Sequence, residues 1–360
     1  LVAGGCSPVE ARERAQAFDR WRLELGVWRR SAGRDDAPGV RLPRPPPPAA
    51  PAGVPEEFVL YAEGAAAWKS GDWTAAQAAW TALLALPEAQ RRQRSVVTAY
   101  MFGRSAGLEA SGPSTREPAE ALAETRRWFQ LTRDLAMRGL PDPFGLAAES
   151  FGWEARVTLD HGDVEAAVEL YLQQLATGDA TAKASLRIVA AQLMKEGVPA
   201  DVVRDPTTRQ VVLAYLVSRV GSSIFDDEAQ PPFARWAAEL AAAIEQAGLA
   251  DIASADRLAW LAYQGGQFEL AARWAKLAPE AATMARWIRA KLALRAGELA
   301  EGARLLGLVV EEGESGDGMR GQAAAELGRV RLALGDFSGT LAAWLRGRHW
   351  TDAAYVQRWR

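Results

Sequence analysis

The feature that most constrains this chain is a turn that recurs. At Gly71-Asp72 a glycine is followed by a residue whose side chain can accept a hydrogen bond, then by the large apolar Trp73. Glycine takes the left-handed conformation that ends a helix without a Cβ clash. An aspartate behind it caps the free N–H groups of the next helix and suits the positive end of its macrodipole. Seven residues before Gly71 stands Gly64; five and nine after it stand Ala76 and Trp80. Small side chains at Gly64 and Ala76 let two helix axes approach, and Trp73 and Trp80 supply apolar area to bury. Residues 61–87 therefore read as an antiparallel helical hairpin.

The frame returns four times. Gly162-Asp163 has Ala155, Val164, Ala167 and Tyr171 at the matching offsets, and Gly266-Gln267 has Ala259, Phe268, Ala271 and Ala275. Gly297-Glu298 has Ala290, Leu299, Gly302 and Leu306; Gly335-Asp336 has Gly328, Phe337, Thr340 and Trp344. Between the turns, residues 95–108 and 118–138 form a further helix pair without a tight turn. Residues 181–195 and 208–220 form another. No run shows the period-two alternation of a strand, so sheet should be absent beyond residue 58.

At these positions the chain resembles the tetratricopeptide repeat (TPR) family, whose unit of about 34 residues is a helix–turn–helix. The resemblance implies an all-α fold, an α-solenoid of antiparallel helix–turn–helix repeats, whose first helices line a concave surface that binds peptides or proteins. Carried over turn by turn, that surface contains Tyr61, Trp68, Lys69, Arg156, Trp260, Tyr263, Trp287, Lys291, Arg295 and Arg329. Trp260 and Trp287 are equally suited to the core between repeats. The family's chaperone-tail branch clamps carboxylates with asparagine, and this chain has none.

Ahead of the repeats lie three segments. Residues 1–8 contain Val2-Ala3-Gly4-Gly5-Cys6-Ser7, which resembles the end of a bacterial lipoprotein signal in which the cysteine is lipidated. Ser7 beside it implies outer-membrane sorting. The alternative is an idle or buried Cys6. Residues 9–30 place Ala11, Ala15, Phe18, Trp21, Leu25 and Trp28 at steps of three and four, an amphipathic helix. It either lies on a membrane or partner, or docks on the first repeat. Residues 31–56 form a linker whose Arg44-Pro45-Pro46-Pro47-Pro48 favours polyproline II. The repeats divide into parts at 57–223 and 224–360, at the prolines between Pro199 and Pro232.

Composition narrows the chemistry. A net charge of −3 leaves no electrostatic footprint for nucleic acid. One Cys and two His cannot build a His/Cys zinc site, and Cys6 has no partner for an intrachain disulfide. His161 and His349 read as solvated turn residues. Gly316-Asp317-Gly318-Met319-Arg320-Gly321 has dinucleotide-fingerprint spacing, but Glu311, Glu312, Glu314 and Asp317 crowd the place of a pyrophosphate. It reads as a loop between repeats. No nucleophile elbow, Walker loop or metalloprotease motif occurs, so no catalytic residue, metal or cofactor is expected. The expectation is a non-catalytic protein-interaction scaffold of the bacterial envelope, in the periplasm and anchored through Cys6. Alternatives are the helical part of a larger cell-wall enzyme continuing past Arg360, or a cytosolic assembly factor.

Overall fold

A computed structural model describes residues 7–31, 46–111, 117–197, 199–219, 233–249, 253–312 and 317–358. Among them every regular element is a helix and none is a strand. The fold is all-α, built of helix pairs that pack on their sequence neighbours as in a helical-repeat α-solenoid. The chain divides into two compact units, Leu1–Ser185 and Leu186–Arg360. That division falls inside a helix, ahead of the proline-punctuated stretch at which the sequence suggests a break. Residues 220–232 of that stretch lie outside the described residues, as do Cys6 and residues 32–45 of the linker.

In unit 1, α1 (Pro8–Ser31) precedes the hairpin of α2 (Glu56–Lys69) and α3 (Trp73–Ala85). Gly71 has φ +79°, and the Asp72 carboxylate accepts from the Ala75 N–H at 3.1 Å. Gly64 is required by close approach: a Cβ there would lie 2.1 Å from Trp80 Nε1. Trp80 is fully buried, but Trp73 is 41% exposed. Trp73 is therefore not core. It meets the edge of Trp68 at 5.9 Å and covers the turn, because a residue opening the second helix sits outside the seam.

The second pair is α4 (Ser95–Ser111) and α5 (Pro118–Met137), with Phe102 stacked on Trp128 at 4.2 Å. The third is α6 (Leu146–Asp160) and α7 (Val164–Ala176), with Asp163 capping Ala166 N–H. The buried pair Arg133–Glu154, 2.7 Å apart, ties α5 to α6. Helix α8 (Thr181–Glu196) carries the chain across the division. Helix α1 docks on α2 through Phe18, Trp21, Leu25 and Trp28 against Val59, Ala62 and Ala66. The Trp21 indole N–H donates to the Pro48 carbonyl at 2.9 Å, which holds the end of the proline run on the same helix.

Unit 2 continues with α9 (Ala200–Arg204), α10 (Pro206–Arg219) and α11 (Phe233–Gln246). The helix expected at residues 208–220 is α10, which Pro206 opens and Asp205 caps through the Thr208 N–H, with the short α9 ahead of it. Three hairpins follow: α12 (Ala255–Gln264) with α13 (Phe268–Leu277), α14 (Thr283–Arg295) with α15 (Leu299–Glu312), and α16 (Asp317–Ala333) with α17 (Phe337–Arg346). Helix α18 (Trp350–Arg358) comes last. Trp344 lies over Gly328 as Trp80 lies over Gly64, with a would-be Cβ 2.1 Å from its Nε1.

Three expectations need correction. The run from Asp317 to Gly321 is the first turn of α16 and not a loop, since its side chains continue a helical seam through Met319 and Ala323. His161 and His349 are half-buried, and each ring bonds a backbone carbonyl at 2.8 Å (Val157 and Gly321), so they tie helix ends rather than sit in water. Phe337, at the position of Trp73, is 48% exposed for the same reason as Trp73.

Candidate functional site

Within unit 1, helices α4 and α6 and the opening of α8 at Thr181 and Ser185 line a groove of about 660 Å³, floored by Phe129 of α5 and by Tyr171 and Gln174 of α7. Glycines let the floor pack close beneath it: a Cβ at Gly103 would meet Phe129 at 2.6 Å, and one at Gly152 the Gln174 amide at 2.6 Å. Leu108 and Phe144 on the walls are 46% and 71% exposed.

The polar geometry centres on Arg104. Its guanidinium lies 3.5 Å over the Trp153 ring, and Nη1 donates to the Tyr100 hydroxyl at 3.3 Å. That hydroxyl donates to Glu149 Oε1 at 2.6 Å, and the Trp153 indole N–H donates to the same oxygen at 3.0 Å. Burial, then the bond to Glu149, pushes the Tyr100 pKa upward, so the phenol stays protonated as a donor. The network fixes Trp153, and Trp153 holds Arg104 flat at the groove wall. A guanidinium has five donors, so most of its capacity is left for a guest. Arg156 is exposed in the same groove and pairs with Asp160 at 3.0 Å, which also accepts from Ser111.

Opposite them, Asp179 accepts from the Thr181 N–H at 2.9 Å, the Thr181 hydroxyl at 2.7 Å and the Gln174 amide at 2.8 Å. The Thr181 bonds first, then Gln174, hold its carboxyl below the usual range. Because a carboxylate only accepts, it fixes the Gln174 amide with Nε2 toward itself. The buried Oε1 is left against Gly152 without a hydrogen-bond partner.

The sequence-predicted residues fall into three places. Tyr61 and Trp68 are half-buried against the core of the first hairpin, with Arg94 over the Tyr61 ring at 5.2 Å; Lys69 is exposed at the end of α2. Of the predicted set, Arg156 alone lines the unit 1 groove. In unit 2, Tyr263, Trp287 and Lys291 come together. Lys291 Nζ lies 4.9 Å over Trp287 and 5.9 Å over Tyr263, and pairs with Glu326 of α16 at 2.5 Å. Trp287 is buried and donates to the same carboxylate at 3.4 Å. Arg295 joins through Phe268, 3.6 Å over its ring, which in turn meets Tyr263. Trp260 packs half-buried on the unit 2 core, and Arg329 is exposed on α16.

The sequence did not single out Tyr100, Arg104, Glu149, Trp153 or Glu326. Tyr100 with Arg104, and Glu149 with Trp153, are each spaced four apart and so share a helix face. That spacing was the only signal for them. Among the described residues no group of three or more His, Cys, Asp or Glu side chains could hold a metal ion, and no helix is long and apolar enough to cross a membrane. Comparison with known protein families and with curated proteins finds no match for this chain.

Proposed function

We propose that this chain is a non-catalytic, TPR-like interaction scaffold that captures a segment of a protein partner along its first helices. The observation that supports this best is the unit 1 groove. It is open and walled by Leu108 and Phe144, with Arg104 already held on Trp153. Such a wall offers apolar anchorage beside a guanidinium whose ordering cost is met before binding. Nothing in the reading calls for covalent chemistry, and recognition suffices. The lipoprotein-like Val2-Ala3-Gly4-Gly5-Cys6 supports a lipid at Cys6 and a place in the bacterial periplasm at the outer membrane.

A photocrosslinking amino acid placed at Leu108 of the full chain tests the groove. The expected result is a covalent adduct to a defined segment of one protein, lost in a Trp153→Ala background. Adduct formation that is unchanged by Trp153→Ala, or equal from a control position at Met137, would sink the assignment.

A further inference from the structure

Helix α1 has two working faces, and docking accounts for one of them. Ala11, Trp21 and Leu25 are buried, with Phe18 and Trp28 beside them against α2. At about 100° per residue, Val9, Arg12, Gln16, Arg20, Leu23, Val27 and Arg30 fall within an arc of about 80° on the opposite side. All seven are exposed; Val9, Leu23 and Val27 are 67%, 68% and 59% accessible. This arc carries three guanidiniums and three aliphatic side chains and no carboxylate.

The acidic residues of α1 sit off that arc. Glu10 accepts the Ser7 N–H at 2.8 Å, and Asp19 pairs with Arg22 at 3.5 Å. Glu13 and Glu24 lie beyond its other edge. The mixed charge seen along the sequence is therefore sorted by the helix into a central basic strip, flanked by exposed Asp19 and Glu13 about 20° beyond its edges, on a chain whose net charge is −3. Exposed aliphatics between arginines fit a surface that is negative outside and apolar just beneath.

We propose that the outer face of α1 rests on an anionic lipid surface, with Arg12, Arg20 and Arg30 on the headgroups and Val9, Leu23 and Val27 in the acyl boundary. The helix opens at Pro8, directly after Cys6 and Ser7. A basic, part-apolar helix face beside a lipid-bearing residue adds a second contact with the same surface. The inference stands apart from the groove, so each can fail alone.

The test uses the full chain carrying Cys6→Ser, so that no lipid contributes, in co-sedimentation with phospholipid vesicles. The expected result is binding to vesicles of phosphatidylglycerol and phosphatidylcholine in equal parts, little binding to phosphatidylcholine alone, and release at high salt. Arg12→Glu with Arg20→Glu and Arg30→Glu should weaken it by more than about tenfold, since each basic residue near an anionic surface contributes about a fivefold factor. Leu23→Gln with Val27→Gln should weaken it by severalfold. These positions are exposed, so an unchanged melting temperature shows that the variants remain folded. Equal binding to both vesicle types, no binding to either, or full binding by the charge-reversed variant overturns the proposal. So does capture of α1's outer face by a peptide in preference to vesicles, which would make it a protein interface.

Discussion

Arg104 in unit 1 and Lys291 in unit 2 are both cations on a first helix with an indole beneath them, at 3.5 and 4.9 Å. Their surroundings differ. Glu326 reaches from the next first helix to neutralise Lys291 and to accept from the indole of Trp287, so that the unit 2 cluster closes on itself. In unit 1 the corresponding carboxylate, Glu149, is taken by Tyr100 and Trp153, and Arg104 is held by a ring face instead of a charge. An open groove lies beside it. The same hairpin scaffold thus gives a cross-braced face in one unit and an open groove in the other. The difference is made by where one carboxylate falls.

The strongest way to test the shared scaffold is to crowd it in each unit. Gly64→Val and Gly328→Val place a Cβ 2.1 Å from an indole nitrogen, and each should cost about 3 kcal/mol or more, read by chemical denaturation. A small loss at either site would mean that the two hairpins are not built alike. Next comes Glu326→Ala, which strands Lys291 and the Trp287 N–H. A loss of about 2 kcal/mol is expected in the melting of the full chain. Arg104→Ala, by contrast, should cost under about 1 kcal/mol, since a part-exposed cation–π contact is worth that much. Its effect belongs in ligand capture. If Arg104→Ala destabilised as much as Glu326→Ala, the contrast between the two faces would collapse.

A finer difference separates the two buried indoles. Trp344 Nε1 donates to the Ala325 carbonyl at 3.1 Å, whereas Trp80 Nε1 is buried with no acceptor. Trp344→Phe should therefore cost about 1 kcal/mol more than Trp80→Phe in matched denaturation curves. The smallest effect concerns acid. Asp179, which starts α8 on the rim of the groove, has its folded pKa below the ordinary 3.8. Its stabilisation is present above that ordinary value and lost as pH falls through the folded one. Asp179→Asn should remove this small stabilisation at neutral pH and flatten this part of the acid-denaturation curve. A curve of unchanged slope would mean the Thr181 bonds carry no weight.

The hairpins were legible because each needs local chemistry that few residues supply. Gly71, Gly162, Gly266, Gly297 and Gly335 all have positive φ, and Asp72, Asp163 and Asp336 all cap the helix that follows. The groove was less legible because its contacts are not local. Tyr100 meets Glu149 across 49 residues, and between them lies a helix pair joined without the Gly–Asp turn that sets the register elsewhere. Carrying positions over by turn found Arg156 and the Tyr263–Trp287–Lys291 cluster, which flank good turns. It could not see that Glu326 would neutralise Lys291, because that depends on how adjacent first helices face each other. On α1 the sequence showed mixed charges, and only the helix sorted them by face.

The central claim is that the unit 1 groove receives a peptide through Arg104 and Trp153. Probing an array of random-sequence peptides with the labelled full chain, beside Arg104→Ala, Trp153→Leu and Lys291→Ala, tests it most directly. The account predicts a defined set of bound peptides whose signal falls about tenfold or more with either unit 1 substitution and stays level with Lys291→Ala. A peptide set bound equally well by all four proteins, or dependent on Lys291 alone, would contradict it.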